Sequence, residues 1–244
     1  LPAPLGEYNR QQLEALRMVR TYLEERGPSG LRHLKGWVRP YLRFRKEVSD
    51  FQQTHFSDTC TRKCFTSRAS ACCSREGMAT FFADMVINGM LSFQKQMDAL
   101  EEALLRDRGG PKCVYLASHG CLWRLKPIVC EMFLCKHAME SVLTPHPALR
   151  ARWEGLRRRE RRYTWPSRPL LFDRIEAHFI EAGYESPLMY LHKSPGLIRV
   201  KQKSRKSRNG KNPVPASLDA PHDPPSPGFT GIETRTSPRK SPGE

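Results

Sequence analysis

The sequence predicts a mainly α-helical chain: a helical domain with a small β-hairpin inside a cysteine-rich, metal-binding core, followed by a disordered C-terminal tail. Three observations predict it. Apolar residues recur at three- and four-residue spacing across most of residues 7–182, the period of a helix with one buried face. All eight cysteines lie between Cys60 and Cys135. From residue 201 the composition turns to Lys, Arg, Ser, Pro, Gly and Asn, too poor in apolar side chains to build a core. The boundaries that follow are 1–56 for N-terminal helices, 57–143 for the core, 144–200 for C-terminal helices packed on it, and 201–244 for the tail.

Leu13, Leu16, Val19, Tyr22 and Leu23 make a stripe over residues 7–26, and Gly27-Pro28 ends that helix. Leu31, Leu34, Trp37, Val38, Tyr41 and Leu42 make a second over 29–56, with Pro40 expected to kink or split it. Residues 57–74 mix four cysteines with Ser, Thr, Arg and Lys and read as a loop wrapped around something. A largely buried helix is expected over 75–92 from Met78, Phe81, Phe82, Met85, Val86 and Met90, and a more polar one over 93–108, stopped by Gly109-Gly110-Pro111. Two short strands, 113–116 and 121–123, read as a hairpin with Cys113 and Cys121 at its open end. Pro127 then opens a helix that carries Cys130, Met132, Phe133 and Cys135 to about residue 143. A basic helix is expected over 148–162, a rigid link over 163–169, and an amphipathic helix over 170–182 with Gly183 as its C-terminal cap. Residues 186–200 are expected to pack back on the core.

The net charge is +16; the segment 201–244 supplies +5 of it and residues 1–200 the other +11. Such a balance attracts phosphates, anionic surfaces or acidic proteins without choosing between them. No apolar run approaches the ~20 residues of a membrane span, and the polar N-terminus lacks the apolar stretch of a secretory signal. Clustered cysteines in such a chain point to a reducing cytoplasm, where thiols serve metal or redox chemistry rather than disulfides.

Thiolates bind soft or borderline metals because sulfur is polarisable and its charge offsets the cation's. A structural zinc and a four-iron cluster each take four of them. The candidate ligands are Cys60, Cys64, Cys72, Cys73, Cys113, Cys121, Cys130 and Cys135, spaced Cys-x3-Cys-x7-Cys-Cys and, 39 residues later, Cys-x7-Cys-x8-Cys-x4-Cys. Adjacent Cys72 and Cys73 project differently, so they serve two sites, or one site and the core. On a regular helix Cys130 and Cys135 sit ~140° apart, so that helix must start late or distort if both bind one metal. The spacing matches neither a zinc ribbon nor a ferredoxin.

The second half, Cys113-Val-Tyr-Leu-Ala-Ser-His-Gly-Cys121-Leu-Trp-Arg-Leu-Lys-Pro127-Ile-Val-Cys130-Glu-Met-Phe133, resembles the YkgJ-type CxxCxxCC family. Those proteins are described as zinc- or iron-chelating domains and include flagellin lysine N-methylases. The family reads C-x-F/Y-L, a short turn, then G-x-C-x-I-Y/F-x-x-R-P-x-x-C-R-x-F/Y. The order of the cysteines in that half matches, as do Tyr115, Leu116, Pro127 and the Pro127-to-Phe133 spacing, with Gly120 next to Cys121 and one residue fewer between Cys121 and Pro127, and Cys72-Cys73 before a helix matches the end of the first half. The chain departs in its stretched first half, in Lys126 and Glu131 where arginines are usual, and in the additional Cys135. The resemblance covers about 60–137 and implies a metal-chelating, mostly helical domain holding an iron–sulfur cluster or a zinc ion.

The other candidates have simpler readings. His55, His119 and His137 read as loop or helix-surface histidines, because thiols already suffice. The Met and Phe series of 78–90, Trp123 and Trp165 read as packing residues. Arg150, Arg152, Arg157, Arg158, Arg159, Arg161 and Arg162 can dock, together with the tail, on nucleic acid or an acidic protein; a solvated face with Glu154 and Glu160 pairing locally is the simpler alternative. There is no glycine-rich phosphate loop, His-Glu-x-x-His helix, nucleophile elbow or S-adenosylmethionine signature. Metal binding with a structural or redox role therefore ranks first. A metal-dependent protein-modifying enzyme ranks second, and a nucleic-acid-binding protein with a zinc-stabilised core third.

Overall fold

Two long helices, each with one apolar stripe, start the chain and set the frame. In the computed structural model, which describes residues 5–74, 79–106, 109–164 and 170–193, α1 spans Glu7–Gly30 and α2 spans Arg32–Phe56. Gly27 breaks α1 internally, with φ 58° in a region that favours glycine, where the sequence places the end of the first helix. Pro40 does not split α2, contrary to expectation. Pro40 and Gly36 are both exposed, so solvent can satisfy the Gly36 carbonyl that Pro40, lacking an N–H, leaves unpaired.

A π-helical segment, Ser57–Phe65, continues directly from α2 where a loop was expected, and turns follow to residue 74. Next come α3 (Phe82–Leu91), α4 (Gln94–Arg106), β1 (Leu116–Ala117) and β2 (Gly120–Cys121). The helix expected over 75–92 begins instead at Phe82. The Asp84 carboxylate accepts the Phe81 N–H at 3.1 Å and fixes the start there, and residues 75–78 lie outside the described set.

The hairpin exists but is shorter than expected: Leu116 pairs with Cys121 and Ala117 with Gly120, antiparallel. Cys121 pairs with Leu116 beside the turn and not at the open end as expected, and Cys113 falls before the strands and donates its N–H to the Cys73 carbonyl at 2.9 Å.

The helix expected over 127–143 is broken. It comprises α5 (Ile128–Met132), an extended stretch from Phe133 (φ −85°, ψ 130°) to Cys135 (φ −69°, ψ 160°), α6 (Lys136–Ala138) and a second π-helical segment, Met139–Leu143. Then follow α7 (Pro147–Thr164), α8 (Leu171–Glu181) and α9 (Tyr190–Lys193). Tyr163 and Thr164, expected in the link, belong to α7; residues 165–169, Trp165 among them, lie outside the described residues. So do 194–200 and the whole tail.

The core lies where these helices meet. α1 packs on α3 and α4, α3 on α8, and α2 on α5 and α8. Phe44, Phe82, Phe172 and Phe179 are among its fully buried side chains. A Schellman motif closes α8: the Tyr184 N–H reaches the Phe179 carbonyl at 2.9 Å and that of Gly183 (φ 86°) reaches Ile180 at 3.0 Å. Leu188, Met189 and Leu191 are buried, so the start of the last segment does pack back. Among the described residues no helix is long and apolar enough to cross a membrane.

Candidate thiol site

The cysteine region hangs from α2 by one buried cation. Arg45 sits on the apolar face of α2, 2% exposed, one turn after Tyr41. Its guanidinium donates to the Lys126 carbonyl at 2.7 Å and to the Tyr41 hydroxyl at 2.8 Å, and lies 3.9 Å from the Glu131 carboxylate. Gln52, two turns further on, donates to the Glu131 carbonyl. Asp84 completes the frame: its second oxygen accepts the Ile128 N–H at 3.1 Å, so one carboxylate starts both α3 and α5. These groups fix Pro127 and Cys130 against α2 and α3.

The π-helical segment carries Cys60 and Cys64 toward the same region. Its wide turns are seen in the N–H of Thr66 reaching Thr61, and that of Ala69 reaching Cys64, five residues back and both at 3.0 Å. The turn after it is tight, with Arg68 (φ 61°) and Ser70 (φ 38°) in left-handed conformation, which costs non-glycine residues energy. That turn returns Cys72 and Cys73 to face Cys60.

Cys60, Cys64, Cys72, Cys73, Cys121 and Cys135 line one cavity of about 650 Å³, with Lys126, Phe133 and the exposed His119 and His137 also at its wall. A second cavity of about 380 Å³ shares Cys60, Cys72, Lys126, Phe133 and Leu134 with the first and adds Cys130. The break between α5 and α6 allows Cys130 and Cys135 to reach these two adjoining spaces.

The thiols also feel one another. Burial, then Cys72, Cys135 and Cys64, raise the Cys60 thiol. Burial, then Cys121, raises Cys130 to about 11. Cys72 donates to Cys73, which holds Cys73 below and Cys72 above the ordinary thiol range; Cys113 and Cys121 act on Cys73 in turn. All eight cysteines thus belong to one linked set.

Two features favour thiolates here. Backbone N–H groups point at sulfur: Ala71 to Cys64 and Ala138 to Cys135, each at 3.4 Å; burial raises the Cys121 and Cys130 thiols, and the backbone groups of Trp123 and Ala79 offset part of that rise. The other is Lys126, whose ammonium works against the burial that raises Cys60 and Cys121 and against the Cys73 contact that raises Cys72, and adds to the lowering of Cys73 by Cys72. Burial pushes the Lys126 ammonium down, but Glu131 and thiolates at Cys121, Cys73 and Cys72 hold it above its ordinary value. As they stand, no three His, Cys, Asp or Glu side chains among the described residues form a group that could hold a metal ion. The sulfurs ring a space instead of meeting at a point.

Lys126, Arg45 and Asp84 are the residues that reading for cysteines alone misses. Arg45 was visible as a charge on an otherwise apolar helical stripe, and Asp84 as an acid in an apolar run, where a helix start needs an acceptor. The arginines of α7 are partly engaged: Arg150 pairs locally with Glu154 at 3.5 Å as the simpler reading expects, while Glu160 bonds the Thr164 hydroxyl and Arg159 reaches Glu47 of α2. Trp123 is buried against Tyr115 and is a packing residue.

The described residues thus define a helical protein with a thiol-ringed cavity at one edge of its core. No family model, curated protein or solved structure matches the chain.

Proposed function

We propose that this protein binds metal through its clustered cysteines, as an iron–sulfur cluster or as zinc, in a structural or redox role. The observation that carries the reading is the gathering of six thiols from four separate stretches of chain around one cavity, with the other two linked to them. Backbone N–H groups aimed at sulfur and a lysine among the thiols are the surroundings that stabilise bound thiolates and tune cluster potential. A mononuclear zinc needs four sulfurs about 2.3 Å from one point, whereas a polynuclear cluster needs a space with thiols on its walls. The cavity therefore favours iron–sulfur over zinc. The YkgJ-type resemblance over the same segment supports metal chelation without choosing the metal.

The test is anaerobic purification followed by absorbance and elemental analysis of one sample. A brown protein with a broad band near ~400 nm and about four irons per chain is the expected result. A colourless protein with one or two zincs would assign a structural metal instead. In either case Cys121→Ser and Cys130→Ser should lower metal content and solubility together. Metal-free protein, or full metal retention in both variants, overturns the reading.

A further inference from the structure

We propose that α2 and α7 together form a docking face for a nucleic-acid duplex, gripped through its phosphates. The two helices lie side by side and antiparallel. The Tyr163 hydroxyl donates to the Pro40 carbonyl at 3.4 Å, Arg159 bonds Glu47 at 2.9 Å, and Trp153 stacks on Phe51 at 5.7 Å, so contacts run backward along α7 as they run forward along α2. Helical spacing then puts Arg39 and Arg43 of α2 beside Arg152, Arg158, Arg159 and Arg162 of α7 on one outer surface. All six are at least partly exposed. Neither run alone makes this face; packing α7 along α2 does.

The acids along the two helices are engaged. Glu47 is held by Arg159, Asp50 by Lys46 at 2.7 Å, Glu154 by Arg150 at 3.5 Å, and Glu160 by the Thr164 hydroxyl at 3.2 Å. Arg159 is taken up in the pair with Glu47, while Arg39, Arg43, Arg152, Arg158 and Arg162 stand outside these four contacts and make the surface strongly positive. Two of its guanidiniums are also steadied over rings: Arg152 over Phe51 and Arg159 over Phe44, each at 5.3 Å. Planar guanidiniums fixed on rigid rods match phosphate oxygens in geometry as well as charge. Helices in contact set two such rows about 8–10 Å apart.

What the face lacks identifies the partner. Single-stranded nucleic acid is held by aromatic platforms, and an interfacial membrane helix by exposed Trp, Phe or Leu. The large exposed apolar side chains of the described residues are Phe93, Leu105, Phe133, Met139, Ile180 and Tyr190, and none lies on α2 or α7. A regular lattice of phosphates with its bases stacked inside asks for neither.

The test uses the full chain and a fluorescent DNA duplex of about 20 base pairs, titrated by anisotropy across a salt series. Arg43→Glu with Arg162→Glu should weaken binding at least tenfold. Two lost phosphate contacts should also reduce the log–log salt slope by about 2. Lys95→Glu with Arg106→Glu makes the same charge change on α4 and should weaken binding no more than twofold. The milder pair Arg39→Gln with Arg158→Gln should lose about three- to tenfold, which keeps the test valid if the reversal variant misfolds. Equal losses from the α4 and α2/α7 pairs would assign the affinity to overall charge and overturn the proposal. So would the absence of duplex binding, or binding to anionic phospholipid vesicles that exceeds duplex binding.

Discussion

Replacing Asp84 with asparagine tests whether one buried carboxylate fastens the helix that carries Cys130. Asp84 is 4% exposed, and its two oxygens accept the N–H groups of Phe81 and Ile128, each at 3.1 Å. Asparagine keeps one acceptor and turns an N–H₂ toward the other donor. A buried N–H left without an acceptor costs about 1–3 kcal/mol, a large share of a whole-domain stability of about 5–15 kcal/mol.

The pH dependence separates this role from a generic packing loss. Burial pushes Asp84 up to about 7, against Arg45 and the two N–H groups, which favour the ionised form. In the unfolded chain an aspartate titrates near 3.9. Between those values the folded protein holds a proton that the unfolded chain has lost. Asp84 therefore makes stability fall as pH rises through the window, and the fall ends once the folded carboxyl has ionised. From pH 5 to pH 8 the loss is about 2.6 kcal/mol, at up to about 1.4 kcal/mol per pH unit. The asparagine variant has no such titration. In urea denaturation at pH 5 the Asp84→Asn variant should be less stable by about 1–3 kcal/mol, and by pH 8 that deficit should close or reverse as the wild type alone loses stability. A deficit unchanged between pH 5 and pH 8 refutes the assignment of a buried, proton-holding carboxyl.

Two further outcomes follow from close contacts. A Cβ on Gly89 would lie 2.8 Å from the Leu23 Cδ1 methyl, which can turn aside, and 3.1 Å from Cγ1 of the buried Val19; crowding there costs about 1–3 kcal/mol, offset by the ~1 kcal/mol alanine gains over glycine in a helix, so Gly89→Ala should lower Tm modestly. Lys126→Met keeps the carbonyl that Arg45 grips but removes the cation shared by both cavities. Metal retention under chelator challenge should fall about tenfold with little change in helicity, and undiminished retention would remove Lys126 from the site.

Where backbone geometry is local, the sequence was readable. Gly27 stands at positive φ at the break inside α1 and Gly183 at the end of α8, both where their positions predict an interruption, and α4 follows its apolar spacing. The hairpin was legible in kind and not in extent, because its inner pairs have no side-chain signature and Cys113 is drawn away to the Cys73 backbone. Residues 57–65 look like a loop by composition. Polar Ser, Thr, Arg and Lys carry no period that distinguishes a π-helix from a turn, and the segment simply continues the helical run of α2. The split between α5 and α6 was half visible: the apolar pattern suggests one helix, while the ~140° between Cys130 and Cys135 already demanded a distortion if both faced one centre.

The cysteines and the residues that place them carry different kinds of signal, and that difference bears on the site itself. A cluster of thiols is conspicuous in sequence because cysteine is scarce, yet scarcity says nothing about direction. Direction comes from Arg45, Asp84 and Gln52, which fasten the Cys130 segment to α2 and α3 through its backbone carbonyls and N–H groups and touch no sulfur in doing so. Residues that act on backbone leave little mark in the spacing of ligands, so no motif of cysteines alone could have revealed them. Arg45 and Asp84 are buried, and what they hold is backbone on which several sulfurs depend. Removing one thiol takes one sulfur from the cavity wall. Loss of Arg45 would release the Lys126 carbonyl and the Tyr41 hydroxyl at once, and with them the wall on which the sulfurs stand.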